Sequence, residues 1–233
     1  MKQQESGYKV GNILKSLGLI IFVMIVNTPP MIMVMQQDKL STMHIWLGCG
    51  VWFLVACGVI AFLWHHYHAS FFVQSPRLSG RDFLIDFGWA VLAFVLAVAG
   101  TLLLQKLTGQ ASSANDQAIQ QIALKLKDAP LPLVASFILG IGVMAPIVEE
   151  LVFRGLINHQ LFNKNQTIWA GIVTSALFAV LHITNLYEFL LYLPMGLILF
   201  ASYHRQGNIK DSMVVHLINN IRACLAILFM LMS

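Results

Sequence analysis

Charge is what this sequence has least of. Asp, Glu, Lys and Arg make up 10% of the 233 residues, against 58% hydrophobic ones, where a soluble domain carries about 25% charged residues. Together with a mean hydropathy of +0.75, this excludes a soluble globular domain and leaves an integral membrane protein. Cysteine is scarce too. Cys49, Cys57 and Cys224 all lie in apolar runs and no CxxC pair exists, so three buried free thiols are expected rather than a disulfide framework. There is no Gly-rich phosphate loop, no HExxH and no basic patch with interleaved aromatics, so nucleotide and nucleic-acid partners have no footing. The formal net charge of +4 is explained by lysines beside membrane spans. The last residues, Met230-Leu231-Met232-Ser233, do not form a prenylation box.

What the sequence has is apolar runs, at about 16–35, 45–64, 83–104, 133–162, 168–182, 187–203 and 212–232. A bilayer crossing takes about 20 residues. The first run is expected to be a span and not a cleaved leader, being too long and lacking a small-x-small site; Pro29-Pro30 should kink it. Trp64-His65-His66-Tyr67-His68 is expected to be an interfacial belt, not a metal cluster. Asp82 and Asp86 suit the positive end of the helix that follows. Between 105 and 131, Ile119, Ile122, Ala123 and Leu126 recur at helical spacing after Asn115-Asp116 as caps. That pattern predicts a short amphipathic helix lying on the membrane.

The expected fold is therefore an all-α membrane bundle of about seven transmembrane helices forming one integral domain. Residues 1–131 supply helices 1–3 and the surface loop; residues 132–233 supply the core, with a site among helices 4, 5 and 7. No internal repeat is evident. Lys2, Lys9, Lys15, Arg77, Arg81, Lys164, Arg205 and Lys210 fall on one side of such a bundle, and Lys39, Lys106, Lys125 and Lys127 on the other. Basic residues gather on the inner side, so the N-terminus is expected inside and the C-terminus outside, in a bacterial plasma membrane.

The functional candidates are polar residues inside the apolar runs. Ala145-Pro146-Ile147-Val148-Glu149-Glu150-Leu151-Val152-Phe153-Arg154 sets two carboxylates and an arginine at membrane depth, where ionisable groups are costly and mark function. Pro146 should bend this helix one turn ahead of the acids. Glu150 and Arg154 share a helical face in the favourable order, acid before base. Glu149 points about 100° away, so one carboxylate can be held while the other stays free. The plain alternative is a structural ion pair. His182 ends the fifth run, and His216 and Asn220 share a face of the seventh. By helical rise Glu149 and His182 lie at similar depth, about 20 Å from the inner loop, whereas His216 falls nearer the inner surface. Each has a plain role as well: buried amides and imidazoles join helices, and Arg222 can pair with Glu188 or a helix end. As a set they are the parts that activate water and hold an oxyanion.

Glu149-Glu150-x-x-x-Arg154, Phe178-x-x-x-His182 and His216-x-x-x-Asn220, in this order on membrane helices, resemble the CAAX protease and bacteriocin-processing family, over roughly residues 133–225. The resemblance implies an α-helical intramembrane endopeptidase acting on a peptide or membrane-protein substrate within the bilayer. Carried over by position, Glu149 and His182 activate water, and His216 and Asn220 hold the oxyanion. Glu150 and Arg154 order the site, Glu150 by touching His216. A metal-free reaction is preferred; the alternative cofactor is Zn²⁺ on Glu149, His182 and His216, since one Glu and two His can bind zinc and leave one position open to water. The competing function is a non-catalytic membrane immunity protein or small transporter subunit, in which the same groups form an ion path.

Overall fold

The computed structural model describes residues 10–232, so Lys2 and Lys9 of the charge bias lie outside the described residues. Helices α1 (Val10–Asn27) and α2 (Pro29–Met35) make one crossing. The break between them falls at Pro29-Pro30, which lack the N–H groups a continuous helix needs. Helix α3 (Thr42–Phe71) opens on Ser41, whose hydroxyl accepts from the His44 N–H. Helix α4 (Gly80–Thr108) opens on a reciprocal Ser79–Asp82 capping box. Then come α5 (Ala114–Leu124), α6 (Leu131–Leu161), α7 (Thr167–Val180), α8 (Phe189–His204) and α9 (Ile209–Met232).

Six stretches among the described residues are long and apolar enough to cross a membrane. Helix α7, with 14 residues, rises only ~21 Å, short of the ~30 Å hydrocarbon layer. The expected bundle of about seven helices holds, with one of them reaching part-way. The protein is thus a multi-pass integral membrane protein. Burial ranks the spans. Of its most apolar window, 56% is buried in α6 but 22% in α1–α2, α3 and α4. Helix α6 is therefore the central helix and the others wrap it. Leu54, Phe62 and Phe229 turn outwards to the surface that lipid would cover.

Helix α6 is not uniformly α-helical. It widens to π-turns at Gly140–Met144 and Leu151–Ile157, a form that occurs mostly as local bulges at functional sites. The first bulge pairs a local proline with a distant donor. In a π-turn the N–H of position 146 would bond the carbonyl five residues back, at Ile141. Pro146 has no N–H. Asn220 of α9 supplies the donor instead, its Nδ2 lying 2.7 Å from the Ile141 carbonyl. The second bulge carries Arg154.

Helix α9 starts inside the protein: Asn208, Ile209, Asp211 and Ser212 are all essentially buried. His216 nonetheless comes level with Glu150 of α6, 2.9 Å from its carboxylate. Arg205, in the α8–α9 turn, reaches Asp82, Asp86 and Asp211, so Asp86 is a buried partner of a clamp and not merely a helix-end charge. Three other expectations are corrected, and α5 gains a packing partner. The N-cap of α5 is Ser113, which accepts from the Asp116 N–H, instead of Asn115-Asp116. Ala123 of α5 and Leu126 just beyond it pack into the bundle, clustering with Val34, Ile45, Leu133, Phe137 and Ile227. Cys57 is exposed, unlike Cys49 and Cys224. Arg222 stands over the Phe94 ring at 4.4 Å, a cation–π contact, while Glu188 is taken up elsewhere.

Candidate active site

Glu149 and Glu150 lie between the two widened turns of α6 and Arg154 in the second, and all three are buried. The Arg154 guanidinium lies 3.2 Å from Glu150 Oε1 and donates to the Gly196 carbonyl of α8 at 2.9 Å. Its carbon also sits 5.0 Å from the centre of the Phe178 ring. Gly196 is where α7 and α8 touch: a Cβ there would stand 2.9 Å from the Ser175 Cβ. The absence of a side chain lets the carbonyl come within Arg154's reach.

Glu150 is held a second time. His216 Nδ1 is 2.9 Å from its Oε1. An ionised carboxylate only accepts, so Nδ1 carries the proton and the other ring nitrogen is turned the opposite way. That nitrogen, Nε2, faces Glu149 Oε2 at 3.9 Å, wider than a hydrogen bond. The far oxygen of Glu149 accepts from Asn27 Nδ2 at 3.0 Å. Arg154, Glu150 and His216 thus form a bonded chain, and Glu149, held separately by Asn27, faces its end across a gap.

His182 stands at the edge of this chain. Its Nδ1 donates to the Phe178 carbonyl at 2.8 Å, leaving Nε2 with the lone pair. Its ring packs on Phe178 at 4.5 Å and on Tyr192 at 5.2 Å, and Phe178 in turn meets His216 at 5.7 Å. The structure therefore brings Glu149, Glu150, Arg154 and His216 into contact and sets His182 beside them, across Phe178. Asn220 lies one turn beyond His216, with one amide hydrogen committed to Ile141 and the other available.

Sequence reasoning missed Asn27, Gly196 and Tyr192. Asn27 was the most findable, a lone amide in an apolar run just before Pro29-Pro30. As for zinc, among the described residues no three His, Cys, Asp or Glu side chains group to hold a metal ion. Glu149 and His216 converge, but the His182 ring is held by Phe178 and Tyr192, so the donor set does not fit. The histidines after Trp64 are likewise engaged separately, His68 with the Trp64 carbonyl and Ser75, and His66 with Ser70.

Residues 131–222 match the model of the family described as type II CAAX prenyl endopeptidase Rce1-like. MroQ of Staphylococcus aureus (strain USA300), named a membrane-embedded CAAX protease, is 32% identical over 144 residues, covering 57% of this chain and 54% of MroQ. YdiL of Bacillus subtilis (strain 168) is 31% identical over 137 residues, covering 57% of this chain and 52% of YdiL. UPF0177 protein YbdI of Lactococcus lactis subsp. lactis (strain IL1403) is 29% identical over 147 residues, covering 62% of this chain and 75% of YbdI. No solved structure matches. The chain thus spans about half the length of MroQ and YdiL. The matched segment carries all three motifs, and over it the chain is similar to the CAAX-protease type.

Proposed function

We propose that this protein is an intramembrane endopeptidase that adds water across a peptide bond of a substrate reaching it within the bilayer. The observation that carries this reading is the buried chain Arg154–Glu150–His216–Glu149. A structural ion pair needs only Glu150 and Arg154. It has no use for a second buried carboxylate, held by Asn27 and facing an imidazole across a gap.

In the reaction, Glu149, with His182 beside it, takes a proton from water as the water oxygen bonds to the scissile carbonyl carbon. The carbonyl π electrons move onto oxygen, giving a tetrahedral oxyanion. His216, its Nδ1 still bonded to Glu150, donates from Nε2, and Asn220 donates its uncommitted amide hydrogen. Fixed donors aimed at the developing charge usually contribute more to acyl-transfer catalysis than any other device. Collapse re-forms the carbonyl and breaks the C–N bond. The proton on Glu149 passes to the leaving nitrogen, so the products are one carboxyl end and one amino end. Glu150 and Arg154 fix the His216 ring and touch no substrate. No metal enters this reaction, a reading the dispersed donors support.

The substrate is a peptide or a membrane-protein segment, a lipidated tail included, and bacteriocin maturation or self-immunity is the setting that the family resemblance favours. The N-terminus lies inside and the C-terminus outside, in a bacterial plasma membrane.

The test is cleavage of a peptide library by detergent-purified protein. Glu149→Gln and His182→Ala are expected to lower kcat by about 10²–10⁴-fold, the usual worth of a positioned acid or base, with protein yield unchanged. The parent's activity should survive EDTA and phenanthroline; loss on chelation with recovery on Zn²⁺ would overturn the metal-free part. Full activity in Glu149→Gln would sink the peptidase reading and return the chain to a non-catalytic immunity or transport role.

A further inference from the structure

The contacts around His182 extend beyond the three motifs. Its ring stacks on Tyr192 of α8 with 27° between the planes. The Tyr192 hydroxyl is enclosed by the start of α5: it lies 2.7 Å from Ser113 Oγ, accepts from Asn115 Nδ2 at 3.3 Å and donates to Asp116 Oδ1 at 3.4 Å. Glu188, fully buried one turn earlier, ties the same segments. One of its oxygens accepts from the Ala114 N–H at 2.6 Å, and the other accepts from the Thr184 N–H at 2.7 Å. The first turn of α5 and the short connection after His182 are therefore held by one residue, and the ring that backs His182 by the next turn of the same helix.

His182 needs such backing. It follows the last turn of α7, where Val180 ends the helix, and the sole hydrogen bond of its ring among the described residues is the local one to Phe178. That bond fixes the tautomer. It restrains the ring at one edge only, and packing on its two faces steadies the rest. Phe178 supplies one face and Tyr192 the other.

We propose that Tyr192 is a positioning residue for His182, and that the Ser113–Asp116 turn of α5 sets where Tyr192 stands. This rests on the peptidase reading for its effect on rate, though not for its effect on the His182 ring. Helix α5 then acts as part of the site's frame, and residues before 131 shape a centre whose motifs all come later.

The test uses the full chain in detergent, with Tyr192→Phe and Tyr192→Ala measured beside Glu149→Gln. Tyr192→Ala is expected to lower kcat by about 10-fold or more, within the 10²-fold that a small misplacement costs, with KM within about threefold of the parent. Tyr192→Phe keeps the ring but loses the hydroxyl that the Ser113–Asp116 turn holds, so its kcat should fall between those of the parent and Tyr192→Ala; a Phe variant equal to the parent would overturn the part given to α5. In ¹⁵N-histidine spectra, Tyr192→Ala should shift the His182 imidazole signals, assigned by their loss in His182→Ala, while Tyr192→Phe shifts them less. If Tyr192→Ala does not accumulate, Tyr192→Leu takes its place with the same expectations. Equal damage from Phe and Ala, unchanged kcat in Ala, or unmoved His182 signals would each overturn the proposal. Activity persisting in Glu149→Gln would instead remove the peptidase reading, and the spectra alone would then decide whether Tyr192 holds the ring.

Discussion

Arg154 is the residue on which the site's order depends. It is fully buried, and so is the carboxylate it faces. Removing one partner of such a pair leaves an uncompensated charge and costs about 3–5 kcal/mol, whereas removing both with shape kept is often close to neutral. Arg154→Met should therefore lower the apparent melting temperature in detergent strongly. Glu150→Gln added to it should recover most of that loss, because the amide oxygen that replaces the carboxylate still accepts from His216 Nδ1. Peptidase activity should stay low in the double variant, since the ring has lost its charged anchor. A double variant as unstable as Arg154→Met would show that Arg154 works through Gly196 and Phe178 and not through the ion pair. At this scale the sequence was readable where residues come in spaced sets. Glu150 and Arg154 four apart, and His216 and Asn220 four apart, announced shared faces. Asn27 and Tyr192 stand singly in apolar runs, and nothing in a period of 3.6 tells a lone polar side chain which neighbour it meets.

At the scale of the element, α6 shows how one proline is matched by another helix. Pro146 deprives the Ile141 carbonyl of its π-turn donor, and Asn220 supplies one. The bend at Pro146 was legible in the sequence; the widening to π-turns was not, because it depends on a donor 79 residues away. Asn220→Ala should leave a buried carbonyl unpaired, at a cost of about 1–3 kcal/mol. Pro146→Ala restores the N–H at position 146, so in that background Asn220→Ala should cost less. The difference, read as a double-mutant cycle in thermal or chemical denaturation, should be at least about 0.5 kcal/mol. Additive losses would mean that Ile141 is served by some other donor and that the bulge owes nothing to α9.

On the scale of the whole molecule, the question is what holds α9 deep enough for His216 to reach Glu150. Helical rise counted from the surface put that ring too shallow, because the count assumes that a helix begins where the apolar run meets water. Helix α9 begins among buried residues, and a clamp grips its first turn. The Arg205 guanidinium lies 2.9 Å from Asp82, 2.8 Å from Asp211 and 3.6 Å from Asp86, and Gln206 also donates to Asp211 at 3.0 Å. One cation thus joins the start of α4 to the start of α9. Asp86 and Asp211 are buried, so they cannot be left to water if the cation goes. Arg205→Met should cost about 3–5 kcal/mol, the range for stranding a buried charge, seen as a lowered apparent melting temperature. Arg205→Lys keeps the charge but loses the fork that spans several carboxylates and should fall between. Adding Asp86→Asn to Arg205→Met removes one stranded charge and should return part of the loss. Because His216 follows Asp211 by little more than one turn, kcat should drop in step with these stabilities, and the His216 imidazole signals should move. Arg205→Met with the parent's melting temperature and unshifted His216 signals would mean that α9 is held at depth by apolar packing alone.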